Sequence, residues 1–163
     1  QIRGYWFFNH LVNDDPDNCR HDHVYAQHQH QIDGCRLVQF QQMRQLTGEF
    51  EGKQQTDAQR NLYWETVLQW NAGNLQAKIP QGESPLELQA RQKEIIPHLF
   101  DNDYEHILIC MHGRAMKSFL CLLLGKPLTQ MEEYKHTNLC VYHIEYDGEK
   151  CSLIKSNDTT HLQ

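Results

Sequence analysis

Apolar positions change rhythm several times along this chain, and each rhythm predicts a different element. Residues 57–74, DAQRNLYWETVLQWNAGN, put Tyr63, Val67 and Trp70 on one helical face, with Trp64 and Leu68 beside them. Thr56 or Asp57 caps the start and Gly73 closes the end. Residues 82–100, GESPLELQARQKEIIPHLF, predict a second helix with Ser84 as N-cap, Pro85 at the first helical position and Glu87 completing a capping box. Leu88, Ile95 and Leu99 form its stripe, and Pro97 is expected to kink it or end it early. HILICM (106–111) then drops the helical period for a continuous apolar run, the pattern of a buried parallel strand.

Helical rhythm returns in GRAMKSFLCLLLG (113–125), stopped by Gly125 with Pro127 just beyond. LCVYHIEYD and CSLIKS follow, joined through DGEK, and predict a hairpin with Asp147-Gly148 in its turn. The order helix, helix, strand, helix, hairpin suits an α/β layered sheet rather than a bundle or a β-sandwich. The first 47 residues are different. They are rich in Gln, His, Asn and Asp; NDDPDNCRHDH (13–23) reads as a loop, and AQHQHQIDGC (26–35) fits no amphipathic template.

Composition narrows the class. At 163 residues and 19.3 kDa the chain is expected to form one domain, with a core large enough to need no disulfide staples. A net charge of −6 and a pI near 6.0 argue against general nucleic-acid binding, although a local pocket can still attract an anionic small molecule. No apolar run approaches a membrane span, and residues 1–20 lack the form of a signal peptide. The six cysteines contain no CxxC pair, and three of the later four lie in apolar runs. They read as buried free thiols of a reducing compartment, so the cytoplasm is the expected location.

Candidate chemistry collects in ILICMHGRAM (107–116). The strand carries His112 to its carboxyl end, where open α/β sheets bind ligands, and a helix opens directly after it. A helix N-terminus favours phosphate or another anion; Gly113 lets backbone come close, and Arg114 offers a cationic fork. The plain alternative is that His112 only ends the strand.

From Gly48 to Leu162 the chain resembles the histidine phosphatase superfamily, and most closely its phosphoglycerate-mutase-like branch. The resemblance rests on GEFEGK (48–53), LYW and QWNAGN within 62–74, QGESP (81–85), ILICMHGRAM (107–116), LLLGKPL (122–128), HTNLCVYHIEYDG (136–148) and NDTTHL (157–162), in that order and spacing. It implies a three-layer α/β sandwich with a mainly parallel central sheet. It also implies a metal-independent phosphomonoester hydrolase or phosphomutase, with no cofactor, working through phosphohistidine on a small phosphorylated substrate. His112 matches the second, charge-donating histidine of that pattern, with Gly113 and Arg114 as phosphate-binding positions. Phosphatase is favoured over mutase, since a mutase must also retain and reorient the intermediate.

The first half of the pattern is altered. No Arg-His-Gly occurs in the chain. GYWFFNHLVN (4–13) ends a strand-like run in a histidine, which makes His10 the positional match for the nucleophile, with Asn9 and Leu11 in place of arginine and glycine. His21, in Cys19-Arg20-His21-Asp22, is a second candidate that lacks a presenting strand. The family's glutamate falls at Arg44, while Arg36 and Arg44 are loose matches for a second pocket arginine. About 30 residues fewer than the pattern leads one to expect precede Gly48, so a strand-and-helix unit is expected to be absent or degraded. Residues 1–47 read as a divergent replacement, a truncated or mis-assigned N-terminal region, or an insertion with another role, and their aperiodic Gln/His-rich text favours the second. An impaired member that binds a phosphorylated ligand or a protein partner is the alternative function.

Other residues receive plainer readings. Cys19, His21, His23, His28, His30 and Cys35 crowd together, yet their spacing matches no standard metal site, and an incidental His-rich loop is preferred. Trp64 and Trp70 are expected in the core, and Met111, Met116 and Met131 as packing residues. His136 and Asn138 open a strand near the presumed pocket and are read as capping residues. Asn157-Asp158 is read as a structural motif whose partner the sequence does not name.

Overall fold

The computed structural model describes residues 56–100 and 105–163 in full, and the strands at 3–9, 30–32 and 35–39 as backbone. Among the described residues six strands form one sheet: β1 Arg3–Asn9, β2 His30–Ile32, β3 Cys35–Gln39, β4 His106–Met111, β5 Val141–Tyr146 and β6 Cys151–Asp158. Their order across the sheet is β2-β3-β4-β1-β5-β6. β3, β4 and β1 lie parallel at its centre. β2 pairs antiparallel with β3, β5 with β1, and β6 with β5. The expectation of a mainly parallel sheet is thereby corrected to a mixed one with a parallel centre. The reason is the connections: the hairpin between β5 and β6 must pair antiparallel, and it extends the edge of β1, which leaves only the middle of the sheet parallel.

The helices form where their local signals lie. α1, Asp57–Asn71, starts on Thr56, whose side chain accepts from the Gln59 N–H at 3.3 Å, while the Gln59 side chain accepts from the Thr56 N–H at 2.9 Å. α2, Pro85–Lys93, starts on Ser84 with the anticipated capping box: Glu87 N–H to Ser84 Oγ at 3.3 Å and Ser84 N–H to Glu87 Oε2 at 2.8 Å. Lys78 adds an ion pair to Glu87, and these hydrogen bonds hold that carboxyl down at about 2. The segment breaks after Lys93 and resumes as α3, Ile96–Phe100, where Pro97 falls in the first turn, the one place in a helix where proline costs little. α4, Gly113–Leu123, runs on from β4 and ends at Gly125, whose φ of +62° suits glycine.

α4 is the centre of the core. Met116, Phe119 and Leu120 pack against Ile107, Ile109 and Met111 of β4 and Tyr142 and Ile144 of β5. On its other side Ala115 and Cys121 meet Val67 and Trp70 of α1, Leu88 of α2, and Leu128 and Met131 of a 3-10 segment at Leu128–Glu133. A fully buried Phe or Leu side chain contributes roughly 1.5–3 kcal/mol. Because both sides are covered, the polar residues of α4 must be satisfied inside. Buried Ser118 donates to Gln92 Oε1 at 2.9 Å, and Gln92 donates to the Ala115 carbonyl at 2.8 Å, which ties α2 to the first turns of α4. Trp70 is core, as expected, and its indole N–H reaches the Ala77 carbonyl at 2.8 Å. Trp64 is not: it is 55% exposed, one position off the buried face that Val67 and Trp70 define.

Candidate active site

β4 and β1 run side by side in the same direction, with Asn9 opposite Met111 at their carboxyl ends. The residue after Met111 is His112. Its backbone is extended (φ −78°, ψ 155°), its carbonyl accepts the first helical bond from the Met116 N–H at 2.8 Å, and its side chain makes no capping bond. A half-buried imidazole therefore stands at the positive end of α4. The residue after Asn9 is His10, which lies outside the described residues, as do His21 and Arg44.

Arg114 was expected to turn its fork toward a bound phosphate. In the structure its guanidinium faces the helical layer: Nε donates to the Tyr63 hydroxyl at 2.6 Å, and a terminal nitrogen pairs with Glu132. The group also lies 5.3 Å from the ring centroids of both Tyr63 and Trp70. Lys117, one turn further along α4 and only 6% exposed, donates to the other Glu132 oxygen at 2.6 Å. Burial alone would raise the Glu132 carboxyl, but the Lys117 hydrogen bond and the charges of Arg114 and Lys117 outweigh it and hold the group below the usual carboxylate range. Two cations share one anion, so the cluster keeps one positive charge in excess beside the start of α4.

Gly113 plays a part that the sequence did not reveal. A Cβ built there would stand 2.6 Å from Nε2 of His136 and closer still to its Cδ2. The imidazole of His136 thus lies directly against the first residue of α4, in room that only glycine leaves. His136 is held from both sides. The Tyr142 hydroxyl donates to the Lys135 carbonyl. Asn157 accepts from the Thr137 N–H at 2.7 Å and donates to the Thr137 hydroxyl at 3.0 Å. The Cys140 N–H reaches the Thr137 carbonyl at 3.1 Å, with Leu139 at φ +61° and Asn157 at φ +49°. Thr137 is therefore the partner of the Asn157-Asp158 motif, and the motif positions the residue next to His136. Asp158 accepts from the Thr160 N–H and hydroxyl, which closes the end of β6.

The four described cysteines are free. Burial pushes all four thiols up, Cys121 and Cys151 to about 11, so none of them supplies a thiolate nucleophile near neutral pH. Among the described residues no group of His, Cys, Asp or Glu is arranged to hold a metal ion, and no helix is long and apolar enough to cross a membrane. Cys19, His21, His23 and His28 lie outside them.

A search of family models matches residues 31–159 to the histidine phosphatase superfamily (branch 1), beginning upstream of Gly48. A curated relative from Hydrogenobacter thermophilus, named "Putative phosphoserine phosphatase 2", is 26% identical over 134 residues, covering 80% of this chain and 64% of its own. A solved structure from Escherichia coli, described as a "putative alpha-ribazole-5'-P phosphatase", superposes with a TM-score of 0.65 at 18% identity over 97% of each chain. The phosphoserine phosphatase of Entamoeba histolytica, solved with phosphoserine, superposes with a TM-score of 0.52 at 18% identity over 60% of this chain and 51% of its own. The chain thus spans a little under two thirds of the curated relative and about half of the Entamoeba protein.

Proposed function

The chain belongs to the histidine phosphatase superfamily (branch 1), and from that premise we propose that it is a phosphomonoester hydrolase acting through a phosphohistidine intermediate. The observation that carries the reading is the parallel β1–β4 pair. Its register ends with Asn9 opposite Met111, and these are the residues that precede His10 and His112 in the chain. In this reading the two histidines divide the work: His10 attacks and His112 stabilises.

In the first step a neutral His10 nitrogen attacks phosphorus, an N–P bond forms, and the ester P–O bond breaks. The leaving oxygen takes up a proton from solvent and departs as an alcohol. In the second step water attacks phosphorus and releases a proton to solvent, the N–P bond breaks, and inorganic phosphate leaves with the neutral imidazole regenerated. Charge on the phosphoryl oxygens is met by His112, by the backbone N–H groups opening α4 at Gly113, and by the net positive Arg114–Lys117–Glu132 cluster behind them. Arg114 then acts on phosphate mainly through charge, since Tyr63 takes its Nε–H and Glu132 one of its terminal nitrogens. The single domain over residues 1–163, the three-layer arrangement around the sheet and a cytoplasmic location belong to the same proposal. A small phosphorylated substrate is the expected ligand; phosphoserine, bound by the Entamoeba neighbour, is a natural first compound to test.

The test is release of inorganic phosphate from a panel of phosphomonoesters by the full chain with EDTA present. Turnover unchanged by EDTA and lost in His10→Ala is the expected result. Turnover that survives His10→Ala rejects His10 as nucleophile. No turnover by the wild-type chain, with phosphorylated ligands still bound, assigns the impaired, ligand-binding alternative that Asn9 and Arg44 favour.

A further inference from the structure

We propose that His136 is a phosphoryl-contacting residue of this site, its imidazole binding a phosphate oxygen from the face of Gly113 while His112 binds from the strand end. The inference rests on the phosphatase reading above and adds a third histidine to it. Its basis is geometric. The His136 ring touches the residue that opens α4, next in the chain to His112. The residue as a whole stays accessible to solvent, so a ligand at the helix end can reach the ring. Its neighbours on both sides are fixed by hydrogen bonds from Tyr142 and Asn157, so the ring is presented rather than left to wander.

Charge in the surroundings gives the contact a direction. Burial against α4, together with Lys117 and Arg114 on that helix, holds His136 below the usual histidine range, while Glu132 on the 3-10 segment pulls weakly the other way. His112 faces the same helix end. Without an anion, His136 is therefore mostly neutral near pH 7, with one ring N–H to donate. A phosphate dianion placed against it reverses the balance and favours the imidazolium, so binding draws a proton onto His136 and strengthens the contact. A residue that merely fills the space beside Gly113 would not titrate with the ligand.

The experiment uses the full chain, labelled so that histidine rings are visible by NMR, with His136→Gln to assign the signal and inorganic phosphate as the probe. The His136 midpoint is expected to rise by about one pH unit or more at saturating phosphate. In steady-state assays His136→Gln should raise both KM and the inhibition constant for phosphate about tenfold, the factor equivalent to one unit, with kcat changed less than roughly threefold. A midpoint that stays put with phosphate bound overturns the proposal, as do wild-type values of KM and inhibition constant in His136→Gln. If turnover is present and lost in His112→Ala while His136→Gln behaves as wild type, this inference fails and the phosphatase reading stands. A wild-type chain that neither hydrolyses phosphomonoesters nor binds phosphate overturns both.

Discussion

His112→Ala is expected to lower phosphomonoester turnover on the order of 10²–10³-fold, the cost of removing one preorganised group from a site where charge develops. Most of the loss should fall in kcat, because the imidazole is proposed to meet charge that grows in the transition state rather than charge present in the bound ester. The fold should survive. His112 is half-buried, and the backbone bond from Met116 to its carbonyl does not depend on the side chain. Circular dichroism and the thermal midpoint of the variant, read beside kcat and KM, check this directly. Loss of structure along with activity would make His112 a structural strand end instead.

Glu132→Ala should give the largest change in stability. The substitution leaves Lys117, 6% exposed, and Arg114 without the carboxylate they share, and buried cations without partners are costly. A fully buried pair broken on one side costs roughly 3–5 kcal/mol; the Glu132 side chain keeps 27% of its surface, so solvent screening reduces the expected loss to about 1–3 kcal/mol. For a chain of this size that lowers Tm by roughly 2–4 °C per kcal/mol. The isosteric Glu132→Gln shows the pH dependence. The folded pKa of Glu132 lies below its unfolded value. Its stabilisation is therefore fully present above the ordinary carboxylate range and is lost as pH falls through the folded value. Wild type should exceed Glu132→Gln most clearly at neutral pH, and the gap should close in acid. A gap independent of pH would mean that Glu132 packs rather than pairs.

What the sequence revealed, and what it hid, follows the range of each interaction. The start of α2 was readable to the residue, because Ser84, Pro85 and Glu87 satisfy the helix end among themselves. The change from strand to helix at Met111–Gly113 was equally plain, since the apolar rhythm changes there. β2 and β3 were not seen. Three and five residues, half of them polar, carry little pattern, and these strands depend on pairing with each other and with β4. Asp33-Gly34 between them was an unused hairpin signal. Aromatic character suggests a core position for Trp64, whereas Thr66, Val67 and Trp70 define the buried face of α1.

In the candidate site, His112 and Gly113 were visible as a pair, but their neighbours were not. Lys117 and Glu132 meet through the packing of α4 on the 3-10 segment, and His136 reaches Gly113 through a loop that Asn157 pins from a different strand. No local pattern encodes contacts of that kind. The Asn157-Asp158 motif was recognisable in the text, and its partner Thr137 was the link that would have led to His136.

The central claim is covalent transfer to a histidine at the carboxyl edge of the β1–β4 pair. Its most direct measurement is rapid denaturing quench of the full chain during turnover, followed by peptide mass analysis. The account predicts one added phosphoryl group, labile to acid and stable to base as a phosphoramidate is, on the peptide that contains His10. Turnover with no phosphorylated peptide, or with the group on a serine, aspartate or cysteine, would contradict it.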